Sequence, residues 1–229
     1  VNTHPPLGVT VHLTVFGATG GVGREIVRQA LDAGHAVTAV VRDPARLPVA
    51  GERLEIVTAD LTEPAALGSA VAARDAVLSG LGASSNAQAR QGVAARVTDV
   101  VLRALETAGT RPDGGRPRFV AVSAAPLASE PADQTFVSRR IAMPLVSRFL
   151  KPVYDDLRVM EEAIHRSATE WTVVRPPMLR DEPLRETYRT AHEVNLRGGR
   201  LIGRADVAHA MLTAAADPAA VKRNVSVAY

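Results

Sequence analysis

Between Phe16 and Arg24 the chain reads Gly17-Ala18-Thr19-Gly20-Gly21-Val22-Gly23, the strongest chemical signal in the sequence. An apolar, β-branched run from Val11 to Phe16 precedes this turn. A segment with helical spacing, from Val22 to Ala33, follows it. In that strand–turn–helix setting each glycine has its own reason. Gly17 lets the chain leave the strand sharply, and Gly20 lets a pyrophosphate approach the backbone. Gly23 allows the helix to pack tightly on the strand. The free N–H groups of the helix start would face the phosphates. A glycine-rich turn with no ligand is the plainer alternative, and the confident strand and helix around it argue against that.

The end of the next strand bears on which dinucleotide fits. It reads Val40-Val41-Arg42-Asp43-Pro44-Ala45-Arg46. A carboxylate here would suit the ribose 2′-hydroxyl of NAD, whereas arginine accommodates the 2′-phosphate of NADP. Arg42 and Arg46, one helical turn apart, can grip a phosphate bidentately, and Arg42 can also stack on adenine. Asp43 stays open as a 2′-hydroxyl ligand, and both arginines could be solvated loop residues. The charge argument favours NADP(H) over NAD(H). Asp60 and Leu61 follow the third strand, where an adenine ring would lie. For Asp60 the competing role is a turn residue, or an N-cap for a helix beginning at Pro64.

Other chemistries find little support. There is no HExxH pair, the six histidines are dispersed and cysteine is absent, so no metal site and no disulfide is expected. No GxSxG elbow is present for a hydrolase.

The elements that must position these residues follow from composition and spacing. Hydrophobic residues make up 46% of the 229, but aromatics only 3%, so the core must be mainly Val, Leu, Ala and Ile. That suits a parallel sheet buried on both faces. Further strands are expected at Ala36–Val41, Leu54–Thr58, Ala76–Leu81, Arg118–Ser123, Trp171–Arg175 and Asn224–Ala228. Helices are expected over Pro64–Ala73, Ala87–Ala108, Val153–Ser167 and Asp206–Ala216. Strand and helix alternate as in βαβ units, so the expected fold is α/β: one doubly wound Rossmann domain over residues 1–229 with a mostly parallel sheet. Residues 124–152 resist the pattern and read as a lid or substrate-pocket wall. There Val137, Ile141, Leu145 and Phe149 recur every four residues, on one side of a helix despite Pro144. Arg139, Arg140, Arg148 and Lys151 would meet an anionic substrate edge or simply be solvated.

The sequence pI is 9.8, but the net charge is only +3 and the arginines are scattered among acids. Nucleic acid is therefore not an expected partner. No apolar run approaches the ~20 residues that cross a bilayer, so no membrane partner and a cytoplasmic location are expected. No heptad or apolar interface pattern appears, so the chain is expected to be a monomer or weak homo-oligomer.

The segments GATGGVG, VVRDPARL and DAVLSGLGA resemble those of atypical short-chain dehydrogenase/reductases of the NAD(P)H-binding kind. Tyr154-Asp155-Asp156 leading to Met160-Glu161, then WTVVRPPMLRDEPL and the closing GRADVAHAML, are most similar to the flavin reductase/biliverdin-IXβ reductase group. The resemblance runs from Val11 to about Leu212. It implies a sheet of about seven strands, with NADPH at their carboxyl ends and hydride transfer to a flavin, quinone or other conjugated small molecule. By position, Gly17, Thr19, Gly20, Gly21 and Val22 would hold the pyrophosphate, and Arg42 and Arg46 the 2′-phosphate. Asp60 and Leu61 would flank adenine, and Leu81 and Gly82 would lie near the nicotinamide ribose. Pro176, Pro177 and Met178 would wall the nicotinamide ring. Ser123 is a cofactor contact and a candidate catalytic residue, although the group's serine aligns with Ala124. Tyr154 is the second catalytic candidate, with Arg158 where ordinary members carry lysine four residues on. Its plain alternative is a packed amphipathic tyrosine. Weak acid–base residues favour conjugated acceptors over simple ketones. They also suit the rival expectation, a redox-sensing regulator of the NmrA-like type that binds NADP without turning it over.

Overall fold

Val, Ile and Ala runs form strands here because their side chains pack on both sides of a pleated surface, while polar and glycine-rich segments turn between them. The computed structural model describes residues 10–82, 86–111, 113–125 and 143–229. Strands β1 (His12–Phe16), β2 (Ala36–Val41), β3 (Leu54–Thr58), β4 (Ala76–Ser79), β5 (Arg118–Val122), β6 (Glu170–Arg175), β8 (Arg189–His192) and β10 (Arg223–Ala228) form one sheet, and β7 (Met178–Arg180) and β9 (Leu201–Gly203) a second. The main sheet has eight strands in the order β3-β2-β1-β4-β5-β6-β10-β8. Every pairing in it is parallel except β10 with β8, so the expected seven parallel strands are joined by one antiparallel edge. The order reverses between β1 and β4, which creates a crevice at their carboxyl ends.

Helices cover both faces. α1 (Gly21–Asp32) and α6 (Arg204–Ala216) lie on one side, where Ile26, Val27, Val207 and Met211 are buried against Val15, Leu78 and Val120. On the other side are α2 (Gly68–Val71), α4 (Val93–Ala108) and α5 (Met143–Arg166). They bury Leu67, Val101, Leu105, Met160 and Ile164 against Phe16 and Phe119. Each such side chain contributes about 1.5–3 kcal/mol through removal from water.

Three expectations need correction. The helix over Ala87–Ala108 is two, α3 (Asn86–Arg90) and α4, separated at Gly92, whose φ of +63° ends the first. Glycine at the head of α4 brings no capping side chain. The cap comes instead from α5, where buried Asp156 accepts from Ala94 N at 3.0 Å and Ala95 N at 2.9 Å. A carboxylate also suits the positive end of a helix. Asp156→Ala should therefore lower stability by about 2 kcal/mol, and Asp156→Asn by less, read from thermal melts.

Second, the Pro64 segment is a short 3-10 turn (Pro64–Leu67) running into α2, with Glu63 at the cap position. Asp60 is exposed and is no N-cap. Third, α5 begins at Met143 and carries Pro152 inside it, so Tyr154 sits mid-helix rather than opening it. Residues 126–142, with Val137, Arg139, Arg140 and Ile141, lie outside the described residues, as do the side chains of Leu145, Arg148 and Phe149. Lys151 is exposed and pairs with Asp155 at 2.6 Å.

At the opposite, amino-terminal end of the sheet, Arg118 is buried and donates to Thr172 Oγ1 and the Ala214 carbonyl, both at 2.6 Å, and to the Glu170 carbonyl. Burial lowers its pKa to about 10, against the pull of Glu170. His35 has a buried Nδ1 with no partner among the described residues, and burial holds its pKa below the ordinary value although Asp75 pulls the other way. Neutral His35 therefore favours the folded chain fully above about pH 6.5. Below that the unfolded chain takes up a proton that the folded chain refuses, so stability falls. The wild-type melting temperature should drop between pH 7 and 5 by more than that of His35→Gln.

Candidate functional site

The carboxyl ends of β1, β4, β5 and β6 meet around the glycine turn. Gly17, the first residue after β1, has φ +70°, and a Cβ there would lie 2.8–2.9 Å from the backbone of Gly80 and Leu81. A Cβ on Gly23 would come within 2.1 Å of the Gly17 carbonyl oxygen, so no side chain fits. Gly80 also packs tightly on Gly23, with 3.0 Å from an added Cβ to Gly23 N. These glycines let β1, α1 and β4 converge backbone to backbone. Gly20 caps α1 without a side chain and is exposed, while Thr19 and Gly21 are half-buried and Val22 is buried. The first N–H groups of α1 thus open onto the crevice with its positive dipole end.

The other expected residues fall around this centre. Arg42 directly follows β2, and Arg46 ends the turn Pro44–Arg46; both are exposed, and neither pairs with a carboxylate among the described residues. Asp43 is engaged otherwise, since its Oδ1 accepts from Ala45 N at 3.1 Å and caps that turn. Asp60 and half-buried Leu61 follow β3. Leu81, half-buried, and Gly82, exposed, follow β4, with Leu81 N donating weakly to Ser79 Oγ at 3.4 Å. Ser123 follows β5, and its backbone N–H is held by the Val174 carbonyl at 2.8 Å. Its buried Oγ has no hydrogen-bond partner among the described residues. Pro176 is buried after β6 and its carbonyl accepts from Ala125 N at 2.8 Å; Pro177 is half-buried and Met178 is 62% exposed on β7.

Tyr154 comes from the half-buried face of α5. Burial raises its phenol pKa. Arg158, four residues on, is exposed. Among the described residues no group of three or more His, Asp or Glu side chains is placed to hold a metal ion, and no helix is long and apolar enough to cross a membrane.

Two groups near the crevice lack any sequence expectation. Arg175, the last residue of β6, forms a buried bidentate pair with Glu161 of α5, with Nε to Oε1 at 3.1 Å and Nη2 to Oε2. The segment Gly203-Arg204-Ala205-Asp206 ties the carboxyl terminus to the site. Asp206, fully buried in the first turn of α6, accepts from Arg185 N at 3.1 Å, Glu186 N at 2.8 Å and Tyr229 Oη at 2.5 Å. The short apolar run before GRAD, followed by an acid at the third helical position, was the available signal.

A parallel sheet that reverses order beside a glycine turn, with a helix N-terminus opening there, defines a Rossmann-type dinucleotide-binding fold. Within that class the sequence pattern of the NAD(P)H-binding family matches residues 17–218, and the chain belongs to that family. Solved structures agree on the fold. A short-chain dehydrogenase/reductase (wide type) from Veillonella parvula, determined in complex with NADP, is 18% identical. It has a TM-score of 0.75 and covers 96% of this chain and 95% of its own. A candidate NADH-flavin reductase from Streptococcus pneumoniae is 22% identical, with a TM-score of 0.73 and coverage of 95% and 99%. A candidate epimerase from Bacteroides thetaiotaomicron is 20% identical, with a TM-score of 0.74 and coverage of 96% and 98%.

Proposed function

We propose that this chain is an NADPH-dependent reductase that passes hydride to a flavin, a quinone or a similar conjugated ring. The observation that carries the proposal is the glycine turn at the sheet's switch point with two unpaired arginines at the end of β2. The residues present fit the dinucleotide. Gly17 and Gly23 close the turn so tightly on backbone that neither has room for a Cβ, and the Ser123 Oγ, without a partner among the described residues, lies two strands away at the β5 end. NADPH, when bound, supplies the hydride.

The rest of the proposal concerns what the chain does. Thr19, Gly20, Gly21 and Val22 would offer backbone N–H groups to the diphosphate. Arg42 and Arg46 would hold the 2′-phosphate. Asp43, already serving as a cap, is a poor 2′-hydroxyl ligand, which supports NADP over NAD. Asp60 and Leu61 would border adenine, Leu81 and Gly82 the adjoining ribose, and Pro176, Pro177 and Met178 the nicotinamide. Ser123 Oγ would donate to the carboxamide or the acceptor. Tyr154, with its phenol made less acidic by burial, is a weak proton donor. A conjugated acceptor that spreads the incoming charge and takes its proton from water removes the need for one.

The same Tyr154 environment favours the second reading, a regulator of the NmrA-like type that senses NADP without consuming it. Steady-state oxidation of NADPH and NADH with FMN, riboflavin and a simple quinone separates the two. The reductase reading expects rapid NADPH-dependent turnover, with Arg42→Ala cutting the preference for NADPH over NADH about tenfold or more. No turnover alongside tight NADP binding identifies the regulator. Turnover of a plain ketone at comparable rate would contradict the choice of acceptor.

A further inference from the structure

Gly21 opens α1, and the place of its absent side chain is taken by a residue 183 positions away in sequence, Arg204. An ideal Cβ on Gly21 would lie 2.5 Å from Arg204 Cδ and 2.8 Å from Arg204 Nε. Helical Cα–Cβ bonds tilt toward the N-terminus, so atoms in this place sit on the rim of α1 that bears its free N–H groups. The topology brings Arg204 there. β7 and β9 pair in parallel with Arg180 opposite Gly203, α6 starts immediately after β9, and α6 packs along α1. The Arg204 side chain stays 30% exposed, and its Nη1 donates at 2.7 Å to Oδ1 of Asp181, whose side chain, following β7, is 89% exposed.

This is an adverse location for a cation. The N-terminus of a helix carries about half a positive charge, and a second positive group beside it is repelled. One solvent-exposed ion pair, with Asp181, offsets that by little. A group with negative charge on the α1 rim would satisfy the helix end and the guanidinium together.

We infer that Arg204 is a ligand of the dinucleotide's pyrophosphate, reaching across Gly21 to hold it from the α6 side. The inference rests on the dinucleotide site proposed above. Asp181 keeps the guanidinium aimed at the rim, and Gly21 is the residue that admits it. A side chain at 21 and the guanidinium of Arg204 compete for one space, so the two positions act as a pair. The pyrophosphate is common to NADPH, NADH and ADP-ribose, which gives Arg204 a signature different from that of Arg42.

The test is calorimetric titration of the full chain with NADPH, NADH and ADP-ribose. Arg204→Gln is expected to weaken all three by a similar factor of about ten or more, the worth of one charge-assisted hydrogen bond. Arg42→Ala is expected to weaken NADPH alone. Gly21→Ala, which pushes the flexible Arg204 side chain aside, should reproduce the Arg204→Gln loss yet add little to it in the double variant. Arg204→Lys should recover part of the affinity, and this variant carries the test if Arg204→Gln melts far below wild type. Unchanged affinity in Arg204→Gln overturns the inference while leaving the dinucleotide reading intact, and so does a loss confined to NADPH. Failure of the wild-type chain to bind any of the three overturns both.

Discussion

Replacing Gly23 with alanine should remove most of the dinucleotide affinity and lower the melting temperature by several degrees. The new methyl carbon would stand 2.1 Å from the Gly17 carbonyl oxygen, 2.7 Å from the Gly17 carbonyl carbon and 3.0 Å from Ala18 Cα. All three are backbone atoms of the turn itself, so no side chain can swing aside. α1 must back away from β1, and overpacking of this kind costs about 1–3 kcal/mol. In a chain of this length that is a fall of about 2–12 °C. The effect on binding is larger, because the N–H groups of residues 20–22 move with the helix. Losing two charge-assisted hydrogen bonds to the diphosphate, at about 1.5 kcal/mol each, is about a hundredfold in affinity. Gly68→Ala is the matched control. Its Cβ meets nothing within 4 Å and its φ is −53°, so melting temperature and NADPH affinity should both hold. Calorimetric titration with NADPH and thermal melts of both variants measure this. Wild-type affinity in Gly23→Ala would mean that the turn does not hold the nucleotide.

Glu161→Ala should be the most destabilising single change in the set. Its carboxylate and the Arg175 guanidinium are 6% and 9% exposed, and each is the other's ion-pair partner. Removing one strands a buried charge, which costs about 3–5 kcal/mol. The melting temperature should fall by about 6–20 °C. Glu161→Gln keeps the shape and an acceptor, so its loss should be smaller. The double change Glu161→Leu with Arg175→Met should recover much of the stability, since a buried pair contributes little net over apolar packing. If the single and double variants melt alike, the pair is not what holds β6 to α5. Because Arg175 directly precedes Pro176 and Pro177, Glu161→Ala should also loosen the wall proposed for the nicotinamide.

The elements that the sequence made legible were those with local causes. β2 falls on the expected residues as an unbroken apolar or β-branched run, β3 as a β-branched run interrupted only by Glu55, and α1 is within a residue of expectation through its 3.6-residue period. What was hidden depends on contacts far along the chain. The apolar period continues smoothly through Gly92, and only the cap from Asp156, 62 positions away from Ala94, makes a new helix begin there. The helix expected to begin at Val153 instead runs from Met143 and passes through Pro152. β7, β8 and β9 are three, four and three residues long, too short to show a period of two.

The site divides in the same way. The glycine turn and the arginines after β2 are contiguous motifs and could be read directly. Arg204, Asp181 and Gly80 reach the crevice through sheet topology alone, so nothing in their local sequence announces them. Tyr154, expected as a catalytic residue or a packed amphipathic tyrosine, lies half-buried on α5, where burial raises its phenol pKa.

The most direct test of the central claim is a calorimetric titration of the unmodified chain with NADPH, and with NADH in parallel. One saturable site per chain, filled more tightly by NADPH, is the predicted result. No saturable binding of either nucleotide would contradict it.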